Sequence, residues 1–244
     1  MMNVLVALRK VLGIAYLTSR WVIRQPSWLI QSTLSTVGFA ILLYAWGGIE
    51  GLRNIIVAWV IGGLWSIGVN IVAQEVGWHR MMYLHEMLIA SPIRPVHYLV
   101  GTFIMSLIFP VVGLVTIAPI AYLLSAWGLM CWSLIMGLPV LLTGIMLGLA
   151  IVMRVERPVN ISAITNPISW LLMILPPVYY PAWILPEPLR YVALAIPTSA
   201  SAEIVRQLAG LGVSIDITYP IAVIAAWCSV SLLLASKTIK WGLN

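Results

Sequence analysis

Polar and apolar positions in this chain are sorted into blocks of membrane length rather than into the short alternation of a soluble domain. No Asp, Glu, Lys or Arg occurs in residues 25–49, 54–74, 95–153, 158–186 or 217–236. A helix rises about 1.5 Å per residue, so about 20 apolar residues cross a hydrocarbon core of about 30 Å. The block 95–153 is long enough for two crossings, with a turn near "SAWG" at 125–128. The pattern predicts six transmembrane helices, at 26–48, 54–74, 96–124, 129–153, 158–180 and 216–236. The expected fold is an all-α membrane protein, one transmembrane domain over 1–244.

Three shorter stretches depart from this pattern. Within residues 3–24, Arg9, Lys10, Arg20 and Arg24 fall within about 100° of one another on a helical wheel, while Leu5, Leu8, Leu12, Ile14 and Trp21 lie elsewhere. That predicts an amphipathic helix over 1–25 lying in the cytoplasmic interface, cations toward anionic headgroups. Between the second and third spans, "QEVGWHRMMYLHEMLIASPIRPVHYLVG" carries all three histidines. His79 and His85 are six positions apart and point to opposite sides of a helix, which excludes the two-histidine zinc face of an H-E-x-x-H motif. The stretch 75–92 predicts a short cytoplasmic helix over about 75–90, stopped by Ser91-Pro92. Val76, Tyr83 and Met87 form one face and Glu75, His79 and Glu86 surround the other. Such a methionine-rich surface suits docking of a soluble partner; the plainer reading is an ordinary interfacial loop helix.

The third stretch is "PPVYYPAWILPEPLRYVALAIPTS" at 176–199, where six of the chain's 15 prolines fall. After Glu187 the longest uncharged run, 191–202, would measure roughly 18 Å as a helix, too short to cross. Leu189, Val192, Ala193 and Ile196 keep helical spacing, with Pro188 at the start and Pro197 as a stop. The expectation is an outer re-entrant segment over 181–212: one helix dipping partly into the outer leaflet, and a second returning through "TSASAEIVRQLAG" to end near Gly210. Irregular backbone at that depth requires cover from protein or a water-lined cavity, so the segment is expected to act as a lid.

Composition strengthens this reading. Of the 244 residues, 62% are hydrophobic and 8% charged, against roughly 25% charged in soluble domains. The net charge of +6 comes from basic residues scattered in short loops, which argues for a topology signal rather than nucleic-acid binding. With a cytoplasmic N-terminus, Arg9, Lys10, Arg20, Arg24, Arg80, Arg94, Arg154, Arg157, Lys237 and Lys240 fall inside and only Arg53, Arg190 and Arg206 outside. A multi-pass cell-membrane protein with both termini cytoplasmic is expected. Arg9 and Lys10 interrupt the first apolar stretch, so no cleaved signal peptide is expected. Cys131 and Cys228 read as small buried hydrophobes. Trp28, Trp46, Trp78, Trp127, Trp183 and Trp241 fit an interfacial belt, and Gly144 with Gly148 forms a GxxxG that permits close helix approach.

No charge falls at a predicted span centre, which argues against a proton-coupled carrier. Gln31, Ser32, Thr33, Ser35 and Thr36 in the first span, Asn70 in the second, and Ser162, Thr165 and Asn166 in the fifth either bond helix to helix or line a pathway. Gln31, Thr33, Asn70 and Asn166 are the pathway candidates. A charge-poor, aromatic-edged pathway suits a lipid, a drug-like molecule or a lipid-linked glycan. There is no G-x-x-x-x-G-K-[ST] and no Gly-Lys pair, so the chain has no phosphate-binding loop of its own.

"LHEMLIASPIRPVHYLVG" resembles the cytoplasmic loop of ABC-2 type transporter permeases, where a glutamate-containing helix runs through Ser/Thr-Pro into the third span. "PPVYYPAWILPEPLRYVALAIPTSASAEIVR" resembles the outer segment of the same family. An amphipathic N-terminal helix before six spans is also its layout. The resemblance implies a half-transporter that pairs with itself or a close paralogue and with two copies of an ABC ATPase, which bind the ATP and Mg; this chain would need no cofactor and catalyse nothing. It implies coupling to the ATPase through Glu75, His79, Tyr83, Glu86, Ser91 and Pro92, and an interfacial connecting helix carrying Arg9, Lys10, Arg20 and Arg24. The outer gate would comprise Tyr180, Pro181, Trp183, Pro186, Glu187, Arg190, Pro197, Glu203 and Arg206. Two other classes compete: an ATP-independent channel or secondary carrier, and an intramembrane transferase using His79, His85 and Glu86.

Overall fold

The computed structural model describes residues 2–24 and 26–238. Lys240 and Trp241 lie outside the described residues, as do the side chains of Arg20, Trp21, Arg24, Trp28 and His85. Among the described residues the chain is all-α, with no strand.

Helix α1 (Met2–Arg24) leads into α2 (Pro26–Ser66), and a π-helical turn at Ile67–Ile71 joins α2 to α3 (Val72–Met81). The apolar run Ile30–Met81 contains 52 residues, which as one straight helix would measure about 78 Å, more than twice a bilayer core. It is not straight. Gly48 takes φ 56, ψ −138, a conformation open to a residue without Cβ. A Cβ at Gly51 would sit 2.0 Å from the Leu43 carbonyl oxygen, so the chain doubles back on itself here and divides the run into two limbs.

Helix α4 (Leu84–Ala90) follows a break at Met82 and Tyr83, and Pro95 opens α5 (Pro95–Ser106), continued by α6 (Ile108–Leu123). The segments Pro95–Val111 and Gly113–Leu123 are inclined at 45°; Pro110, which has no N–H to donate, lies just before the bend. Helix α7 (Trp127–Val152) is the central element, packed on α2, the π turn, α10 and α11. Its GxxxG faces α2's continuation: a Cβ at Gly144 would lie 3.1 Å from the Trp65 carbonyl oxygen, one at Gly148 2.9 Å from that of Gly68, and one at Gly68 2.7 Å from that of Leu141. Only glycines allow backbones this close.

Helix α8 (Ile161–Ile174) covers 14 residues of the expected span 158–180, about 21 Å. Pro176 and Pro177 stop it, and 175–180 runs on without helix. Two short helices follow, α9 (Glu187–Leu194) and α10 (Pro197–Leu208), close to the pair expected from the proline spacing; Pro197 opens the second helix as well as ending the first. Gly210 at φ 70 closes α10, with the Leu211 N–H donating to the Arg206 carbonyl at 2.8 Å. Helix α11 (Thr218–Thr238) begins after Asp216, whose carboxylate accepts from the Thr218 N–H at 2.8 Å.

Three helices among the described residues are long and apolar enough to cross a membrane, Ile30–Met81, Trp127–Val152 and Thr218–Lys237, or four if the bent pair 95–123 is one span.

Candidate functional site

At the end of the molecule holding α3 and α4, the expected helix over 75–90 is two helices. Tyr83 adopts a left-handed φ of 56 and ends the 100° phase between them. The expected faces change accordingly. Val76 and His79 are buried and Glu75 is half-buried, whereas Tyr83, Glu86 and Met87 are exposed together with Met81 and Met82. His79 Nε2 lies 3.3 Å from Glu75 Oε1, and its Nδ1 is 3.5 Å from the Tyr98 hydroxyl. His79, paired with Glu75 inside α3, thus faces Tyr98 of α5, and the surface is formed by Tyr83, Glu86, Met87 and Pro92. Ser91 Oγ donates to the Leu88 carbonyl at 2.6 Å, ending α4 before Pro92. His97 Nδ1 accepts from the Arg94 N–H at 3.1 Å and fixes the start of α5.

The first helix meets this region directly. Lys10 Nζ donates to the Pro92 carbonyl at 2.5 Å. A Cβ at Gly101 would lie 2.8 Å from Ile14, so α1 and α5 are in close contact. Arg9 is exposed. Arg80 donates to the carbonyls of Val152 and Val155, placing a cation at the C-terminal end of α7 where the helix dipole favours one.

Between the limbs of α2 and helices α6, α7 and α8 lies a cavity of about 330 Å³. Phe39, Trp59, Phe109, Trp170, Met173 and Tyr179 supply its apolar wall; Gln31, Ser32, Ser35, Ser66 and Asn70 supply its polar groups. Phe39 stacks on Tyr179 at 5.4 Å between ring centroids and tilts against Trp59 at 5.9 Å. Asn70 Nδ2 donates to Asn166 Oδ1 at 2.6 Å, and Asn70 Oδ1 accepts from Thr165 at 2.6 Å and Gln74 at 2.7 Å. Of the four pathway candidates, Gln31 and Asn70 line the cavity, Asn166 joins it through Asn70, and Thr33 is exposed outside it. The aromatic wall was not legible in the sequence, because an aromatic lining a cavity and one facing lipid have the same neighbours in an apolar run.

The cap segment 175–215 buries two of its four charges. Arg206 is 1% exposed and Glu203 wholly buried. Arg206 donates from Nε to Asn54 Oδ1 at 2.9 Å and from its two terminal nitrogens to the carbonyls of Pro177 at 2.9 Å and Val178 at 2.5 Å. It thereby ties α10, the loop after α8 and the second limb of α2 together. Burial pushes the guanidinium down to about 10 while the Glu203 carboxylate opposes the shift, so the group remains a cation at neutral pH. Glu203 accepts from the Ser214 N–H at 2.8 Å, the Ser214 hydroxyl at 3.0 Å and Gln207 at 2.9 Å. Arg190 donates to the carbonyls of Ser214, Leu185 and Trp183 at 2.9, 3.1 and 3.3 Å. Trp183, Pro186 and Glu187 are exposed, Tyr180 and Pro181 half-buried, and Pro197 buried. A Cβ at Gly212, φ 123, would lie 2.7 Å from the Trp183 ring. The expected gate residues thus divide into buried ones (Pro197, Glu203, Arg206), half-buried ones (Tyr180, Pro181, Arg190) and exposed ones (Trp183, Pro186, Glu187).

No family model matches the chain, and no curated protein matches it.

Proposed function

We propose that this chain is the membrane permease subunit of an ATP-driven exporter of the ABC-2 kind, moving an amphipathic, lipid-like or drug-like cargo outward. It spans the membrane six times with both termini cytoplasmic, works as a dimer, and draws its energy from two copies of a separate ATPase. The observation that carries the reading is the junction at one end of the helix bundle. An exposed two-helix elbow with Tyr83, Glu86 and Met87 on its surface is fastened through Pro92 to Lys10 of the first helix, and touches α5 through His79 and Tyr98. A push on such an elbow reaches the first helix and the 95–123 helices together, which is what a docked motor requires. The 95–123 helices also border the cavity, through Phe109 and Leu114. In operation the motor would bind one arrangement of the helices better than another and shift the population between them.

The test is reconstitution with the ATPase that copurifies with the chain. Glu86→Ala is expected to preserve assembly and elution but to lower cargo export per ATP hydrolysed at least tenfold. Export in proteoliposomes lacking any ATPase overturns the proposal.

A further inference from the structure

We infer that a second copy of this chain covers the face made by the first limb of α2 and by α8, and that Gln31 of each copy hydrogen-bonds Asn166 of the other across a two-fold axis. Both amides are exposed with bonding capacity to spare. Gln31 has no hydrogen-bond partner among the described residues. Asn166 Oδ1 accepts from Asn70 at 2.6 Å, while its Nδ2 has no partner among the described residues. Each lies within an apolar stretch, Gln31 in the run Ile30–Met81 and Asn166 in the charge-free block 158–186. Acyl chains offer an amide nothing to bond, and asparagine and glutamine in such stretches join helix to helix.

Their placement fits a copy of the same chain. Gln31 follows the start of α2 at Pro26, and Asn166 the start of α8 at Ile161, by the same number of residues, about 7 Å along each helix. Gln31 and Asn70 line one cavity, and Asn70 bonds Asn166, so the two amides lie at one level. A two-fold axis along the membrane normal preserves that level. Asn166 Nδ2 of one copy then donates to Gln31 Oε1 of the other, and the same bond recurs on the far side of the axis, which leaves neither residue unpaired. The surroundings are apolar and uncovered: Leu34, Trp170 and Leu171 are each at least half exposed. Gln31 and Trp170 also belong to the cavity wall, so the second copy closes the side on which they are exposed.

The inference rests on the permease reading only for taking the chain as a dimer; the pairing itself needs no ATPase. The test uses the full chain with Cys131 and Cys228 replaced by serine. Two differently tagged copies are coexpressed, one carrying Gln31→Cys and the other Asn166→Cys, and the membranes are oxidised with copper phenanthroline. A disulfide-linked pair bearing both tags is expected, in at least tenfold excess over that from Asn166→Cys with Val230→Cys; Val230 is half exposed on α11, which packs on α7 and α10. Gln31→Leu removes no bond within its own chain. In phosphatidylcholine vesicles, energy transfer between labelled copies on dilution should show its dimer dissociation constant raised about tenfold, since two symmetry-related bonds are lost at once. An equal yield through Val230, a chain that stays single, or an unchanged dissociation constant in Gln31→Leu overturns the inference. The linked pair in a chain without ATP-driven export removes only the permease reading; ATP-driven export with no link between positions 31 and 166 removes only the seam.

Discussion

Arg206 shows how the meaning of one residue depends on what surrounds it. In the sequence it is a cation near the end of a short amphipathic run, marked as an outer-gate residue. In the fold it is an interior tie, donating to Asn54 and to two carbonyls of the non-helical loop after α8. Its removal would strand those acceptors and leave the buried Glu203 without its neighbouring cation, a change of about 3–5 kcal/mol where one partner of a buried charged network is lost. Arg206→Met should therefore lower the thermal unfolding midpoint in detergent sharply. Arg53→Ala removes a partner from an exposed pair with Glu50 at 2.7 Å, worth about 0–1 kcal/mol, and should barely move it. Equal shifts in the two variants would contradict the assignment of Arg206 as a tie. What the sequence carried here was the presence of charge in an apolar segment; the partners, Asn54 and the Pro177 and Val178 carbonyls, come from chain segments that only the fold brings together.

At the scale of elements, the GxxxG of α7 was legible as a contact, but its partner was not. Gly68 receives it inside a π-helical turn, and nothing in the composition of "IGVNI" separates a π turn from an α-helix. The same limit hid the break at Tyr83, where there is neither glycine nor proline to interrupt the helical period. In 187–210 the breakers were legible, Pro188, Pro197 and Gly210 falling within three residues of the ends of α9 and α10, whereas Pro119, Pro139 and Pro167 lie inside helices without ending them. The seam itself is testable. Gly68→Ala places a Cβ 2.7 Å from the Leu141 carbonyl oxygen, forcing the helices apart at about 1–3 kcal/mol. Gly38→Ala, also in a helix but with nothing within 4 Å of the new Cβ, should gain about 0.5–1 kcal/mol from lower backbone entropy in the unfolded chain. Opposite signs in the fraction surviving a heat step, read by size-exclusion fluorescence, are the expected outcome.

For the whole molecule the open quantity is topology, and it turns on α8. Hydropathy counts 158–180 as a full crossing because no charge interrupts it, yet only Ile161–Ile174 is helical, about 21 Å against a core of about 30 Å. The non-helical residues 175–180 must supply the remaining depth. They have the cover such backbone needs: 176–179 are buried, and Arg206 holds the carbonyls of Pro177 and Val178. If the chain crosses here, 181–212 is outside and Lys237 inside, on the same side as Arg80, Arg154 and Arg157, as the positive-inside bias requires. If α8 instead turns back, the cap falls on the cytoplasmic side and Lys237 outside. Met87 and Val213 are both exposed and discriminate the two. In a background with Cys131 and Cys228 replaced by serine, Val213→Cys should react with an impermeant maleimide from outside intact cells, and Met87→Cys only in inverted vesicles. Labelling of both from the same side would eliminate the crossing at α8, and with it the outer position of the cap on which its role as a lid depends.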